Sequence, residues 1–195
     1  MASGDSGDMK SKIILIIPIC KEKLHYYEFV KPIEDIVNGT GKKYMVKHYT
    51  KINSCDLEIA SHVIICGTSL QDNEFMNQIR FFSWLKNYEG AVLGICGGMQ
   101  IIGAVFGGVG LLNTKTEIGY YKETFNRDFL GITGPLEVYH LHNHYIDFSV
   151  LDDFAIFSTG TIAQAVKHRE KNIYGVLFHP EVRHKEMIGN FIKTI

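Results

Sequence analysis

The sequence predicts an α/β fold: a doubly wound, mostly parallel sheet with helices on both faces and a small antiparallel extension. From Lys12 onward, short β-branched apolar runs alternate with longer amphipathic stretches, which is typical of strands that helices cover on both sides. The middle of the chain, Leu111 to Ser158, loses helical periodicity and alternates instead, which indicates antiparallel strands. With 195 residues, 46% of them hydrophobic, the chain can bury one substantial core but is short for two domains.

The first half of the chain supplies four strands and two helices. Buried apolar runs predict strands at Ile13 to Ile17, Tyr44 to Tyr49, His62 to Cys66, and Ala91 to Ile95. Tyr27 to Val37 and Asn73 to Lys86 are amphipathic and predict helices, the first ended by the glycines at Gly39 and Gly41. Their apolar faces consist of Phe29, Val30, Ile33, Ile36 and Val37 in the first helix, and Phe75, Ile79, Phe82 and Leu85 in the second.

The rest of the chain adds a helix at Met99 to Phe106 and a late strand at Val176 to Phe178. We predict one domain from residue 10 to residue 195. The opening residues 1–9 begin MASGDSGD, which is small, polar and acidic, so we expect a disordered leader or a cloning remnant rather than a secretory signal.

Composition excludes several classes of function. The formal charge is -1, with 20 basic and 21 acidic residues spread along the chain, so we expect neither nucleic acid nor an anionic membrane surface as a partner. Glycines interrupt the longest apolar stretch, Ile101 to Leu112, which is also too short for the roughly 20 residues of a membrane helix. The four cysteines form no CxxC pair, which favours a reducing cytoplasm over a disulfide framework or a zinc site.

Cys96 is the strongest candidate for a catalytic residue. It follows a buried strand directly, and Gly94 and Gly98 stand two residues to either side. A nucleophile on a sharp strand-to-helix turn needs small neighbours, and the amides of the following helix favour thiolate over thiol. The amide of Gly97 would then face an oxyanion. The alternative is an ordinary buried cysteine in a glycine-rich turn.

His179 is the candidate acid and base. It ends a strand-like run, and Pro180 and Glu181 follow it, so the carboxylate can reach back to the imidazole. The carboxyl ends of parallel strands share one edge of a sheet, where Cys96 and His179 can meet. The alternative is a hydrogen-bonded histidine at the end of a core strand.

The two segments GICGGMQ and FHPEV together resemble the class I (triad) glutamine amidotransferases, and the resemblance runs from Lys12 to Ile195. It implies a flavodoxin-like fold, a Cys-His-Glu triad of Cys96, His179 and Glu181, and no cofactor. In that family the cysteine forms a γ-glutamyl thioester and ammonia passes to a synthetase. By position, Gln100 would help to hold L-glutamine. Thr161 to Val166 resembles the family's strand before the histidine segment.

The turn after the third strand departs from the family pattern. Relatives usually carry Gly-Gly-Pro there, where the backbone supplies a second oxyanion donor, whereas this chain has Gly67, Thr68 and Ser69. A positive φ at the β-branched Thr68 would be costly. We therefore expect an activity that is low or depends on a partner.

Three histidines alternate along Tyr139 to His144, at positions 140, 142 and 144. Three interpretations are open. The imidazoles could line one strand face and bind a metal; His142 and His144 could belong to an active-site or interface loop, as in the family; or the stretch could be plain surface polarity. We favour the second and predict no metal. Residues 117–120 likewise resemble a loop near the glutamine pocket, or form an ordinary turn.

The leading hypothesis for function is a glutaminase subunit that hands ammonia to a separate ATP-dependent synthetase, because nothing outside the predicted domain could hold an ATP-binding acceptor domain. A GMP-synthase-type partner is the one we favour. A hydrolase of γ-glutamyl bonds would use the same triad without an acceptor. A weakly active regulatory protein is the third hypothesis, and the altered turn at Gly67 to Ser69 is its support.

Overall fold

A computed structural model describes residues 12–194, except the side chains of residues 111–114. The predicted leader, residues 1–9, lies outside the described residues. The described residues form nine strands: β1 (Ile13–Ile17), β2 (Tyr44–Val46), β3 (Ala60–Ile65), β4 (Ala91–Ile95), β5 (Val109–Phe129), β6 (Ile132–Asp147), β7 (Phe154–Ile156), β8 (Ala165–His168) and β9 (Ile173–Val176). The α-helices are α1 (Lys23–His25), α2 (Lys31–Gly39), α3 (Ser54–Ile59), α4 (Gly97–Val105) and α5 (Glu186–Phe191).

Seven strands form one sheet in the order β2-β1-β3-β4-β9-β8-β7. The pairings from β2 through β9 are parallel, whereas β8 and β7 add to the far edge antiparallel. This confirms the predicted doubly wound, mostly parallel sheet. The chain runs from β1 outward to β2 and then back to β3, so the order of strands reverses between β1 and β3. Ligands of such sheets bind at the carboxyl ends of the strands near this reversal.

The sheet separates two hydrophobic clusters because successive side chains of a strand point to opposite faces. Ile14 and Ile16 of β1 pack in one cluster with α2 and α5, while Leu15 and Ile17 pack in the other against α4. All five residues of β4 are buried. Burial on both faces explains why these strands read as continuous apolar runs.

The two helices predicted in the first half of the chain are present, but neither is a continuous α-helix. A π turn at Tyr26–Val30 joins α1 to α2, and Pro32 lies in the first turn of α2, where its missing N–H costs nothing. Glu74–Lys86 is a 3₁₀ helix broken by non-helical dihedral angles at Gln78. The predicted apolar faces are nevertheless buried, apart from Ile36 and Ile79, which are partly exposed.

The antiparallel extension is a long hairpin of β5 and β6. Leu130 and Gly131 connect the strands with positive φ angles of 52° and 90°, as a two-residue turn with the twist of a hairpin requires. This confirms the prediction of antiparallel strands in the middle of the chain.

Several boundaries and elements were wrong or missing in the prediction. The late strand lies at Ile173–Val176 rather than Val176 to Phe178, and its neighbour lies at Ala165–His168 rather than Thr161 to Val166. The prediction omitted α3, although Asn53 and Asp56 form a capping box at its start, a signal readable in the sequence. It also omitted α5.

Within the described residues no helix is long and apolar enough to cross a membrane. All four cysteines carry free thiols.

Candidate active site

Cys96 occupies a sharp turn between β4 and α4. Its dihedral angles, φ 50° and ψ -103°, lie where non-glycine residues are rare and cost energy. A Cβ on Gly94 would lie 2.5 Å from the carbonyl carbon of Gly98, and a Cβ on Gly98 would collide with the carbonyl oxygen of Ile65 in β3. The two glycines beside Cys96 are therefore needed for the close packing of strand, turn and helix, as the sequence predicted.

The N-terminus of α4 lies directly at the sulfur-bearing residue. Cys96 is the N-cap and Gly97 the first helical residue, so the first amides of the helix have no partner inside it. Their partial positive charge favours an anion at this position. The thiol itself is buried and donates to the carbonyl oxygen of Leu141 in β6, with a sulfur–oxygen distance of 3.5 Å.

His179 lies three residues beyond Val176, the last residue of β9. Its backbone amide donates to the carbonyl oxygen of Tyr139 (2.9 Å), which ties the histidine segment to the hairpin. Nδ1 lies 2.7 Å from Oε1 of Glu181, and both side chains are buried. The ring of Phe29 packs against the imidazole at a centroid distance of 5.5 Å. Carboxylate and phenyl ring together hold the imidazole in one orientation.

The electrostatics of His179 favour the protonated imidazole. Burial opposes the charge, but the carboxylate of Glu181 and the sulfur of Cys96 outweigh it and hold the pKa of His179 well above its ordinary value. Nε2 of His179 makes no hydrogen bond within the described part of the chain. When the imidazole is protonated, Nε2 carries a proton that it can donate to another molecule.

Gly67, which follows β3, places the end of a third strand beside Cys96 and His179. A Cβ there would lie 2.8 Å from Cε1 of His179 and 3.4 Å from Cβ of Cys96, so any larger residue would displace the imidazole. The carboxyl ends of β3, β4 and β9 thus converge, as we expected for Cys96 and His179.

The expected strain at Thr68 is wrong. Among residues 12–194, the non-glycine residues with positive φ are Cys96, Leu130 and His184. Thr68 has its side chain fixed instead: Oγ1 donates to Oδ2 of Asp72 (2.9 Å), and the same oxygen accepts the amide of Lys21 (2.8 Å). Asp72, which the sequence prediction missed, therefore joins this turn to the loop after β1.

A narrow crevice opens beside Cys96. Gln100 lies in its wall, buried, and donates from Nε2 to the carbonyl oxygen of His144 (3.0 Å). His142 also lines the crevice, whereas His144 does not. A wider cleft next to it is lined by Phe29, Leu141 and several charged side chains, namely Lys21, Glu22, His25, Glu28, Asp72 and Glu74.

A buried group of Glu117, His140 and His142 lies behind the crevice, and sequence reasoning did not assemble it. Oε2 of Glu117 lies 3.0 Å from Nδ1 of His140 and 3.2 Å from Nε2 of His142. Burial, the neighbouring His140 and other cations lower the pKa of His142 to about 4 against the opposing effect of Glu117. In the sequence, the alternation of histidines along one strand was the signal for this group. The sequence did not identify the partner strand that contributes Glu117.

Comparison with known proteins decides the family. The family model described as glutamine amidotransferase class-I matches residues 25–194. The chain belongs to the class I glutamine amidotransferase family. Among curated relatives of this amidotransferase, a glutamine-hydrolyzing GMP synthase subunit of Methanobrevibacter smithii is 33% identical over 108 residues, which cover 52% of this chain and 55% of that protein. The chain thus spans about half the length of this relative.

Solved structures of low sequence identity share the amidotransferase fold. A protein of Thermoplasma acidophilum matches with a TM-score of 0.78 at 22% identity and covers 93% of each chain. A glutamine amidotransferase of Thermotoga maritima matches with a TM-score of 0.69 at 21% identity, over 94% of this amidotransferase and 81% of that chain. At these identities the agreement establishes the fold, flavodoxin-like with the antiparallel extension.

Proposed function

We propose that this chain is a glutaminase subunit that hydrolyses L-glutamine to glutamate and ammonia through a thioester on Cys96. The observation that carries the proposal is the convergence, at one sheet edge, of a strained cysteine at a helix N-terminus with a buried His179–Glu181 pair. Membership of the amidotransferase family supports it.

The first half of the reaction forms the thioester. The sulfur of Cys96, its proton passed to His179, attacks the side-chain amide carbon of glutamine, and the carbonyl oxygen becomes an oxyanion. His179 then gives the proton to the amide nitrogen as the C–N bond breaks and ammonia leaves. Glu181 holds the imidazole by its Nδ1 and stabilises the imidazolium.

The second half releases glutamate. A water molecule loses a proton to His179 and attacks the thioester carbonyl. The C–S bond breaks, the proton returns to the sulfur of Cys96, and glutamate departs. The sum is glutamine plus water giving glutamate plus ammonia.

The oxyanion needs donors that are already in place. We assign one to the amide of Gly97, at the first turn of α4, and a second to the turn of Gly67 and Thr68. The absence of positive φ at Thr68, together with its bond to Asp72, supports a well-ordered turn rather than an impaired one. Gln100, His142 and His144 remain proposed substrate-binding residues, Gln100 and His142 as walls of the crevice.

The proposed acceptor of ammonia is an ATP-dependent synthetase on a separate chain, of GMP-synthase type. The names of relatives support this choice, since several are separate glutamine-hydrolyzing subunits of GMP synthase.

The decisive test compares Cys96→Ala with Cys55→Ala, which changes an exposed cysteine. We expect Cys96→Ala to lower the rate of ammonia release from glutamine by at least about 10⁴-fold and to abolish covalent labelling by a glutamine-mimicking electrophile. Cys55→Ala should behave as wild type. The assay is run with and without a GMP-synthase-type synthetase. Labelling that persists without Cys96 would refute the assignment.

A further inference from the structure

The hairpin places three potential metal ligands on one buried face. Glu117 of β5 lies directly across from His142 of β6, and His140 stands two residues earlier on the same face. All three residues are at most 3% exposed. Since two residues separate side chains on the same face of a strand, the arrangement follows from the register of the hairpin.

His142 is not satisfied by the protein around it. Its buried Nδ1 has no hydrogen-bond partner in the described residues, and Nε2 lies 3.2 Å from Oε2 of Glu117 without forming a hydrogen bond. A buried polar group without a partner typically costs about 1–3 kcal/mol. A neutral imidazole nitrogen carries a lone pair that a cation could use.

In place of the sequence-based prediction of no metal, we propose that Glu117, His140 and His142 bind one divalent ion of the zinc type. One oxygen or nitrogen from each residue lies within 4.8 Å of the others, and Glu117 Oε2 is 3.0 and 3.2 Å from the two imidazole nitrogens. Tetrahedral zinc with bonds of about 2.0–2.1 Å spaces its ligand atoms roughly 3.3 Å apart. Two imidazoles and one carboxylate suit zinc and its neighbours better than magnesium or calcium.

The surroundings of His140 resemble the second shell of such a site, whereas Nδ1 of His142 has no partner in the described residues. Metal-bound histidines usually present their other nitrogen to a carboxylate. Here Glu123 Oε1 lies 3.5 Å from Nε2 of His140, and the ring of Tyr121 stacks on that imidazole. Lys115 pairs with Oε1 of Glu117, which leaves Oε2 for the ion.

The three ligands leave one coordination position open, as in zinc sites that hold water. His142 also lines the crevice beside Cys96, so the ion would lie against the wall of the candidate active site. The proposal does not depend on the glutaminase function, because it concerns binding of the ion alone.

Calorimetric titration with zinc chloride tests the site. The full chain carries Cys96→Ser to remove the thiol as a competing ligand and is stripped with a chelator beforehand. We expect one zinc ion per chain, with Glu117→Gln and His140→Gln each weakening binding at least ten-fold. His48→Gln, which changes a histidine outside the group, should leave affinity unchanged. Absence of zinc binding, or binding unchanged in both variants, would overturn the proposal.

Cobalt substitution in the wild-type chain gives an independent readout that needs no variant to fold. We expect the visible absorption of four-coordinate Co²⁺ without a thiolate-to-cobalt charge-transfer band. Such a band, lost in Cys96→Ser, would place the ion on the cysteine and contradict the proposal. Far-UV circular dichroism of each variant checks that the fold is intact.

Discussion

The backbone of Cys96 is strained in the turn between β4 and α4. Sparsely populated dihedral angles cost on the order of 1–3 kcal/mol, and such residues persist where the surroundings over-determine them. Here the surroundings are β4, fully buried, and α4, whose backbone approaches β3 closely at Gly98. This strained conformation places the sulfur of Cys96 at the edge of the sheet where His179 lies. Individual neighbouring residues also determine whether the imidazole of His179 is protonated.

Glu181→Gln should impair catalysis through the pKa of His179. Burial lowers that pKa and the carboxylate raises it, so removal of the charge lowers the pKa. If the imidazolium protonates the leaving ammonia, activity is lost as pH rises through this pKa. The variant should therefore lose activity on the alkaline side at lower pH than wild type, with kcat/KM reduced on the order of 10²-fold.

The pH profile of glutamine hydrolysis checks this expectation. Glu186→Gln is the matched control, because that carboxylate is exposed on α5. An alkaline limb that stays in place in Glu181→Gln would contradict the assigned role of the carboxylate.

His142 should make the metal-free protein sensitive to acid. Its pKa is about 4 in the folded state, below the ordinary value of 6.5, so between these values the unfolded chain binds more protons. Stability is then unaffected above pH 6.5 and falls as pH drops toward 4, by up to about 3 kcal/mol from this group. The His142→Asn variant should lose correspondingly less stability over the same pH range. Urea unfolding at about pH 7 and about pH 4.5 measures the difference, and equal losses in both proteins would contradict it.

At the scale of elements, the site depends on connections between loops that are distant in sequence. Asp72 joins the turn at Thr68 to the amide of Lys21, and the amide of His179 bonds to Tyr139 of the hairpin. The loops after β1 and β3 are thereby fixed to each other, and the loop after β9 is fixed to the hairpin. A rigid frame of this kind is what positions reacting groups.

The close approach of α4 to β3 predicts that alanine substitutions at two glycines change the stability of the protein in opposite directions. Gly98→Ala places a Cβ against the carbonyl of Ile65, which is backbone and cannot rotate away, so we expect destabilisation of about 1–3 kcal/mol. Gly189→Ala, in α5, meets nothing within 4 Å and should stabilise by about 0.5–1 kcal/mol through helix propensity. Urea titration of both variants measures this. Equal stability of Gly98→Ala and wild type would show that the packing is looser than described.

At the scale of the whole molecule, the two hydrophobic clusters share one sheet. The hairpin contributes Phe125 and Val138 to one cluster and Ile146 to the other, so it is not packed independently. We therefore propose that the predicted domain unfolds as one cooperative unit.

Urea unfolding followed by two probes tests this cooperativity. The single Trp84 lies in the 3₁₀ helix against Tyr88, whereas far-UV circular dichroism reports on all elements including the hairpin. Both signals should give the same midpoint. A hairpin that melted separately would split the two transitions.

The sequence by itself determined the four strands in the first half of the chain, the turn at Cys96 and the likeness of two segments to the amidotransferase family. These features are local: buried runs of β-branched residues, glycines at fixed offsets, and a histidine followed closely by its carboxylate. The alternation of His140, His142 and His144 also offered a shared strand face as one of three open interpretations, because strand side chains alternate.

Only the tertiary structure decided how those pieces meet. Strand order set which loops face Cys96, and the register of the hairpin placed Glu117 opposite His142, far from it along the chain. The backbone at Thr68 and its bond to Asp72 likewise depend on neighbouring elements. Pairing between distant segments is chosen by packing over the whole molecule, which no local pattern of residues specifies.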